Sequence, residues 1–185
     1  AGALGALYAA NERAPLPYEV PEVIAAEEAS AAAAGRPSRQ RGAGFRQSKE
    51  ERDLIELRAM DVAAAYYEAD GWKVARKGAP YDLDLVRGSE ELTVEVKGTT
   101  SMGEAVVLTD GEVRHHSRAY PNNALVIVRD IRLDRSTTPP TVTGGVLFEI
   151  QPWTITDDAL SAISYRYAVP IELYEQDGMP GELLD

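Results

Sequence analysis

Ala124-Leu125-Val126-Ile127-Val128 is an unbroken apolar run, too short for a self-standing helix and dominated by β-branched residues. Such a run predicts a strand buried on both faces, which requires covering layers above and below a sheet. The preceding text supplies them. Ser48 followed three residues later by Glu51 is a capping-box start. Leu54, Ile55, Leu57, Met60, Val62, Ala63, Ala64, Tyr66 and Tyr67 then form an amphipathic stripe ending at Asp70-Gly71. That pattern predicts a helix of about five to six turns. A second helix is expected from a cap at Asp110 through Ala119, stopped by Tyr120-Pro121-Asn122-Asn123.

Between and after these helices, β-like runs separated by turn signals span Trp72 to Arg76, Tyr81 to Arg87, Leu92 to Lys97, Ala105 to Thr109 and Gly145 to Ile150. Leu160 to Tyr167 reads as a small helix or an irregular cover. The order predicts an α/β fold, a mixed β-sheet flanked by helices. The folded domain is expected over residues 48–170. Residues 1–47 would be the end of an upstream region and a flexible basic linker, and residues 171–185 a polar tail. Residues 21–34, PEVIAAEEASAAAA, have helix propensity but little to bury, so a helix there would be marginal. The chain opens on Ala1, which points to a piece of a longer protein.

The chain has no cysteine and two histidines, so disulfides and thiolate zinc sites are excluded, and any metal would be held by oxygen. No apolar run approaches the ~20 residues that cross a bilayer, and no secretory signal opens the chain, so a cytoplasmic protein is expected. The net charge of −11 argues against a phosphate-rich partner, but it is unevenly spread. Residues 1–29 carry 1 basic against 5 acidic side chains and residues 151–185 carry 1 against 7, whereas residues 30–60 carry 7 against 4. The basic tract holds Arg36, Arg39, Arg41, Arg46 and Lys49; it is either a phosphate-facing arm, with Arg46 a candidate substrate contact, or a solvated linker.

Four residues, Gly88-Ser89-Glu90-Glu91, separate two of the expected strands, a common hairpin loop length. Pairing Arg87 with Leu92 would set Asp84 across from Glu95 and Asp82 across from Lys97. Because side chains alternate, Asp82, Asp84, Glu95 and Lys97 would share one face, and Leu83, Leu85, Val94 and Val96 the other. Crowded carboxylates repel unless a cation compensates them, and a hard ion such as Mg²⁺ accepts one or two carboxylates, waters and a phosphate oxygen. A lysine two residues beyond the glutamate would lie beside that ion, placed to orient a nucleophile and offset charge.

Asp82, a gap of twelve residues, and then Glu95-Val96-Lys97 resembles the D-(x)n-E-x-K signature of the PD-(D/E)xK nuclease superfamily. The surrounding text, IELRAM, GWKV, PYDLDL, VEVKGTT, VVLTDGEV and LVIVRDI, looks like the domain found at the C-terminus of the plant protein NO VEIN. In bacteria that domain occurs in restriction-like proteins paired with an McrB-type N-terminal DNA-reading domain. The resemblance covers roughly residues 48–134. It implies a restriction-endonuclease-like core and Mg²⁺- or Mn²⁺-dependent cleavage of DNA, modified DNA in the bacterial architectures. It also implies Asp82 and Glu95 as metal-binding acids, Lys97 as the catalytic lysine, and Glu56 as the helix glutamate near the ion. Such nucleases commonly dimerise to cut two strands, so DNA, an upstream recognition domain and a homodimer are the expected partners.

Each residue also has a plainer reading. Glu95 and Lys97 would make a surface ion pair on a strand, worth ~0–1 kcal/mol. Glu56 would be a solvent-facing helix residue, one turn from Arg52 and Met60. Thr99, Thr100 and Ser101 either contact phosphate or close the strand as turn residues. His115 and His116, adjacent on a helix, point in different directions and are expected on its surface. Trp72, Tyr66, Tyr67 and Tyr81 are expected in core and rim packing, and Trp153 as a plug at the end of the sheet. A non-catalytic module with the same fold, or a nuclease for RNA or branched DNA, stays open.

Overall fold

The computed structural model describes residues 47–165, together with residues 22, 23, 25, 26, 29 and 30, which are helical. Arg46, most of the expected linker and the expected tail fall outside the described residues. Helix α1 spans Lys49–Ala69, and strands β1, β2 and β3 span Lys73–Arg76, Leu83–Arg87 and Glu90–Gly98. Helix α2, Asp110–Ala119, leads into β4, Asn123–Asp134, and β5, Thr141–Ile150; a short 3-10 turn covers Asp157–Ala159. The five strands lie in chain order in one sheet. Only β3 and β4 run parallel, so the sheet is mixed and the fold is α/β, as the sequence predicts. No helix among the described residues is long and apolar enough to cross a membrane.

Helix α1 starts where the capping box places it: Glu51 N donates to Ser48 Oγ and Ser48 N donates to Glu51 Oε2. Glu51, Ile55, Ala59, Ala63 and Tyr67 form its buried face, at i, i+4 spacing. Leu57 and Tyr66, expected in the stripe, face solvent. This face packs on Leu83, Leu85, Leu92, Val94 and Val96, which alternate along β2 and β3 and form the main core with Ala124, Val126 and Val128. The helix approaches β3 closely because the contact is made of small residues. A Cβ on Gly98 would stand 2.8 Å from Ala59 Cβ and 2.9 Å from the Ile55 carbonyl oxygen. β4 is buried along its first half, from Asn123 to Val128, as a strand covered on both faces must be.

Three expectations are corrected. The β2–β3 hairpin turns on Gly88-Ser89 alone, with Gly88 at φ 64 and Arg87 paired with Glu90. A tight turn of this kind is available because glycine takes positive φ at its first central position. The register therefore shifts by two residues, and Asp84 faces Thr93 instead of Glu95. An even shift leaves the face assignment intact. Second, residues 105–109 form no strand. Both edges of β3 are already paired, so this segment crosses the sheet face, packing Val106 and Leu108 on Leu125, Ile127 and Trp153. Third, Thr109, not Asp110, caps α2, in a second capping box with Glu112.

Candidate active site

The β3–α2–β4 connection joins two parallel strands, and α2 consequently lies across a sheet face. That face carries Thr93, Glu95, Lys97 and Thr99, the residues of β3 and its exit that point away from α1. Glu95 is only 1% exposed. Its Oε1 lies 2.6 Å from Lys97 Nζ, and Lys97 Nζ also stands 3.2 Å from Glu112 Oε2 on α2. The pair exists, but the surface ion pair of the plainer reading does not, because the carboxylate is inside the protein. Oε2 of Glu95 has no hydrogen-bond partner among the described residues. His116 Nε2 stands 3.5 Å away, within reach of an ion pair but outside hydrogen-bond geometry.

Asp82 enters from the end of β2. Its backbone N donates to Val94 O, the last rung of the β2–β3 ladder, and its Oδ2 then accepts the hydrogen bond of Val96 N at 2.8 Å. The Asp82 carboxylate thus replaces a strand where the strand stops, and it is fixed to the residue between Glu95 and Lys97. Asp84, the extra acid of PYDLDL, goes elsewhere and pairs with Lys77 at 3.5 Å. Of the two, Asp82 is the one the fold brings to the Glu95–Lys97 pair.

The electrostatics follow from burial. Desolvation raises the Asp82 carboxyl above the usual carboxylate range, more than the Val96 hydrogen bond and the Lys97 charge lower it. Desolvation also raises Glu95, against His116 and Lys97, and the nearby Asp82 charge adds to the rise. Burial lowers the Lys97 ammonium, but Glu95 and Glu112 outweigh it, so Lys97 is held above its usual value and protonated at neutral pH. Three carboxylates surround one ammonium, and the cluster is short of positive charge.

These residues fit a hard divalent ion. Glu95 offers a buried oxygen that accepts no hydrogen bond, with His116 Nε2 3.5 Å from it, and Asp82 is an anchored carboxylate nearby. Among the described residues no group of three His, Asp or Glu side chains forms a protein-only metal cage. Two carboxylates with the remaining positions left to water and phosphate is the donor set that Mg²⁺ or Mn²⁺ takes.

Other sequence candidates are placed differently. Glu56 is exposed on α1, which packs on the face of the sheet opposite to Glu95 and Lys97. Thr99 is buried; its Oγ1 accepts from Ser101 N at 3.0 Å and donates to Glu22 Oε2 at 3.0 Å. Thr100 accepts from Gln47 Nε2 at 3.3 Å. His116, expected at the surface, is fully buried between Glu95 and Trp153, and His115 stacks on Tyr81 with ring centroids 4.4 Å apart. Trp153 does plug the sheet, held by Asn123, whose side chain donates to Trp153 O. Glu112 and His116 were the residues sequence reasoning missed as members of the cluster. Their i, i+4 spacing on the helix that crosses between parallel strands was the available signal.

Residues 55–142 match the model of the family described as Protein NO VEIN, C-terminal. The match runs from Ile55 in α1 to Val142 in β5 and contains Asp82, Glu95, Lys97, Glu112 and His116. No curated protein matches, and no solved structure does.

Proposed function

We propose that this domain is a metal-dependent endonuclease that hydrolyses DNA phosphodiester bonds, built on a PD-(D/E)xK core. The observation that carries the reading is the buried Glu95 carboxylate, bonded on one oxygen to Lys97, unsatisfied on the other, and tied through Val96 N to Asp82. Asp82 and Glu95 would hold Mg²⁺ or Mn²⁺. When bound, the ion would acidify water and neutralise charge building on the phosphate. Lys97, whose ammonium form Glu95 and Glu112 favour, is not the base that takes a proton from water. Its role is to donate hydrogen bonds to the phosphate as water adds to phosphorus, one bridging P–O bond breaks, and a phosphate monoester and a hydroxyl form. α2 holds Lys97 in place through Glu112 and closes the floor of the site with His116. Glu56 has no part unless DNA brings α1 and the site together.

The NO VEIN C-terminal match supports no more than a nuclease-like domain; the wider reading we propose is a restriction or defence protein of the cytoplasm whose upstream domain selects DNA, modified DNA included, and whose two copies cut two strands. One observation favours a rival. Lys97 is already shared between Glu95 and Glu112, so the cluster is partly neutralised from within, as a non-catalytic module would need. RNA or branched DNA are the alternative substrates.

Nicking of supercoiled plasmid, modified and unmodified, in Mg²⁺ or Mn²⁺ decides between them. The chain, alone and joined to its upstream region, is expected to nick, and Lys97→Ala to lose at least about 100-fold in rate. No nicking by either form, together with a flat calorimetric titration of Mn²⁺, would overturn the enzyme reading.

A further inference from the structure

The site face continues beyond Lys97. The parallel register that pairs Glu95 with Leu125 and Lys97 with Ile127 carries Thr99 beside Arg129, and Thr99 N donates to Val128 O at 2.9 Å. Gly103 lies over both: a Cβ there would be 3.4 Å from Thr99 Cγ2 and 3.8 Å from Arg129 Cβ. Thr99 and Arg129 therefore leave the sheet side by side on the face of Glu95 and Lys97. Two residues along a strand is about 7 Å, so one extended ligand strand can reach both Lys97 and this pair.

One member of the pair lacks a partner, and the other is bonded to an anion. Arg129 Nε is buried without a hydrogen-bond partner, and Arg129 makes no ion pair among the described residues. A buried guanidinium nitrogen without an acceptor is costly. Thr99 Oγ1 does have an acceptor, and it is an anion: Glu22 Oε2, from the helical residues before the domain. The Glu22 carboxylate is poorly held in return, since its Oε1 is also buried without a partner. Glu22 and Arg129 form no ion pair with each other among the described residues, yet each keeps one buried polar atom without a partner, and both adjoin Thr99, Glu22 by its hydrogen bond and Arg129 by strand register: an anion site with an imperfect occupant.

We infer that Thr99 and Arg129 form a phosphate subsite for the nucleotide next to the scissile one, and that Glu22 occupies it in the structure as a carboxylate stand-in. The inference rests on the nuclease reading for its substrate class. A phosphodiester serves the pair better than Glu22 does, because it is not tethered to the chain and can turn one non-bridging oxygen to the hydroxyl and the other to the guanidinium. Residues 1–29, with 1 basic against 5 acidic side chains, would then compete with DNA for the same groups.

Binding of a fluorescently labelled DNA duplex, followed by anisotropy in EDTA across a salt series, tests this on the full chain. Arg129→Gln is expected to weaken binding about 10-fold and to flatten the plot of log affinity against log salt by about one unit, while Arg129→Lys keeps the slope. Glu22→Ala, which leaves the domain core untouched, is expected to tighten binding several-fold. Arg129→Gln binding within about twofold of the parent, with its melting temperature unchanged, overturns the subsite. If Arg129→Gln does not fold, Glu22→Ala decides, and no gain in affinity overturns it. Nicking separates this inference from the one beneath it. Shifts in DNA binding without any Lys97-dependent nicking would leave the subsite and remove the nuclease; Lys97-dependent nicking with Arg129→Gln unaffected in binding and rate would do the reverse.

Discussion

The two faces of β3 are built from the same strand and obey opposite rules. Toward α1, Val94, Val96 and Gly98 meet Ile55, Ala59 and Ala63 in a contact so close that Gly98 has no room for a Cβ. These contacting groups are apolar, the buried polar atoms of Glu51 and Tyr67 on the same helix face have partners, and burial stabilises the fold. Toward α2, Glu95, Lys97 and Thr99 meet Glu112, His116 and Glu22, and the same burial leaves oxygens and nitrogens without partners. One face spends its interior on packing, and the other holds charge where charge is costly. The second kind of arrangement persists where a ligand completes it.

The largest effect that separates the faces belongs to the packed one. Leu83→Ala, at a fully buried core position, should cost about 2–5 kcal/mol in urea unfolding, equally with and without Mn²⁺. A cost that depends on metal would mean that the two faces are coupled and the comparison too simple.

Glu95→Gln should act in the opposite sense. Without metal the variant should be no less stable than the parent, within about 1 kcal/mol, because Glu112 still pairs the Lys97 ammonium and the substitution removes one of the crowded buried carboxylates. With Mn²⁺ at about 100 times the dissociation constant, the parent should gain about 2.7 kcal/mol and the variant nothing. The pH dependence sharpens the same point. The folded-state value of Glu95 lies above its unfolded value, so its contribution is full below the ordinary carboxylate range and is lost as pH rises through the folded value. Metal-free parent protein should therefore lose stability relative to Glu95→Gln between mildly acidic and neutral pH. A metal-free variant less stable by more than about 2 kcal/mol would make the Glu95–Lys97 bridge structural and break the comparison.

Glu51 is the control, a glutamate buried on the other side of the sheet with its bonds complete. It accepts from Arg135 Nε at 2.6 Å and from Ser48 N at 2.8 Å, and these hold its carboxyl below the usual range. Its contribution is full above the ordinary carboxylate value and is lost as pH falls through the depressed one. Glu51→Gln should cost about 1 kcal/mol at neutral pH, a difference that shrinks toward acid and ignores Mn²⁺ in chemical denaturation. A metal-dependent cost would show that the ion acts through the whole domain instead of through one face.

Much of the fold was legible because local signals agreed with it. Ser48 and Glu51 set the start of α1, Ala124 to Val128 announced a central strand, and period-two alternation put Asp82, Glu95 and Lys97 on one side whatever the register. The hairpin register was not legible, because Gly88-Ser89 and the four-residue loop are both ordinary turns, and the choice lies in cross-strand packing. Residues 105–109 read as a strand because their apolar character is real; it serves a loop that crosses the sheet face and covers Leu125, Ile127 and Trp153, since β3, which they follow, is paired on both edges.

The sequence by itself determined which chemical groups this protein can use: two acids, a lysine two residues on, and no thiol. Alternation along a strand is local geometry, and it needs no knowledge of the rest of the chain. Only the tertiary structure decided that Glu95 is buried, that Asp82 and not Asp84 reaches it, that His116 lies inside, and that Glu22 and Arg129 stand beside Thr99. Those facts depend on which layer covers each face and on contacts across long stretches of chain. Burial and partner choice are properties of the packed assembly, and no residue carries them alone.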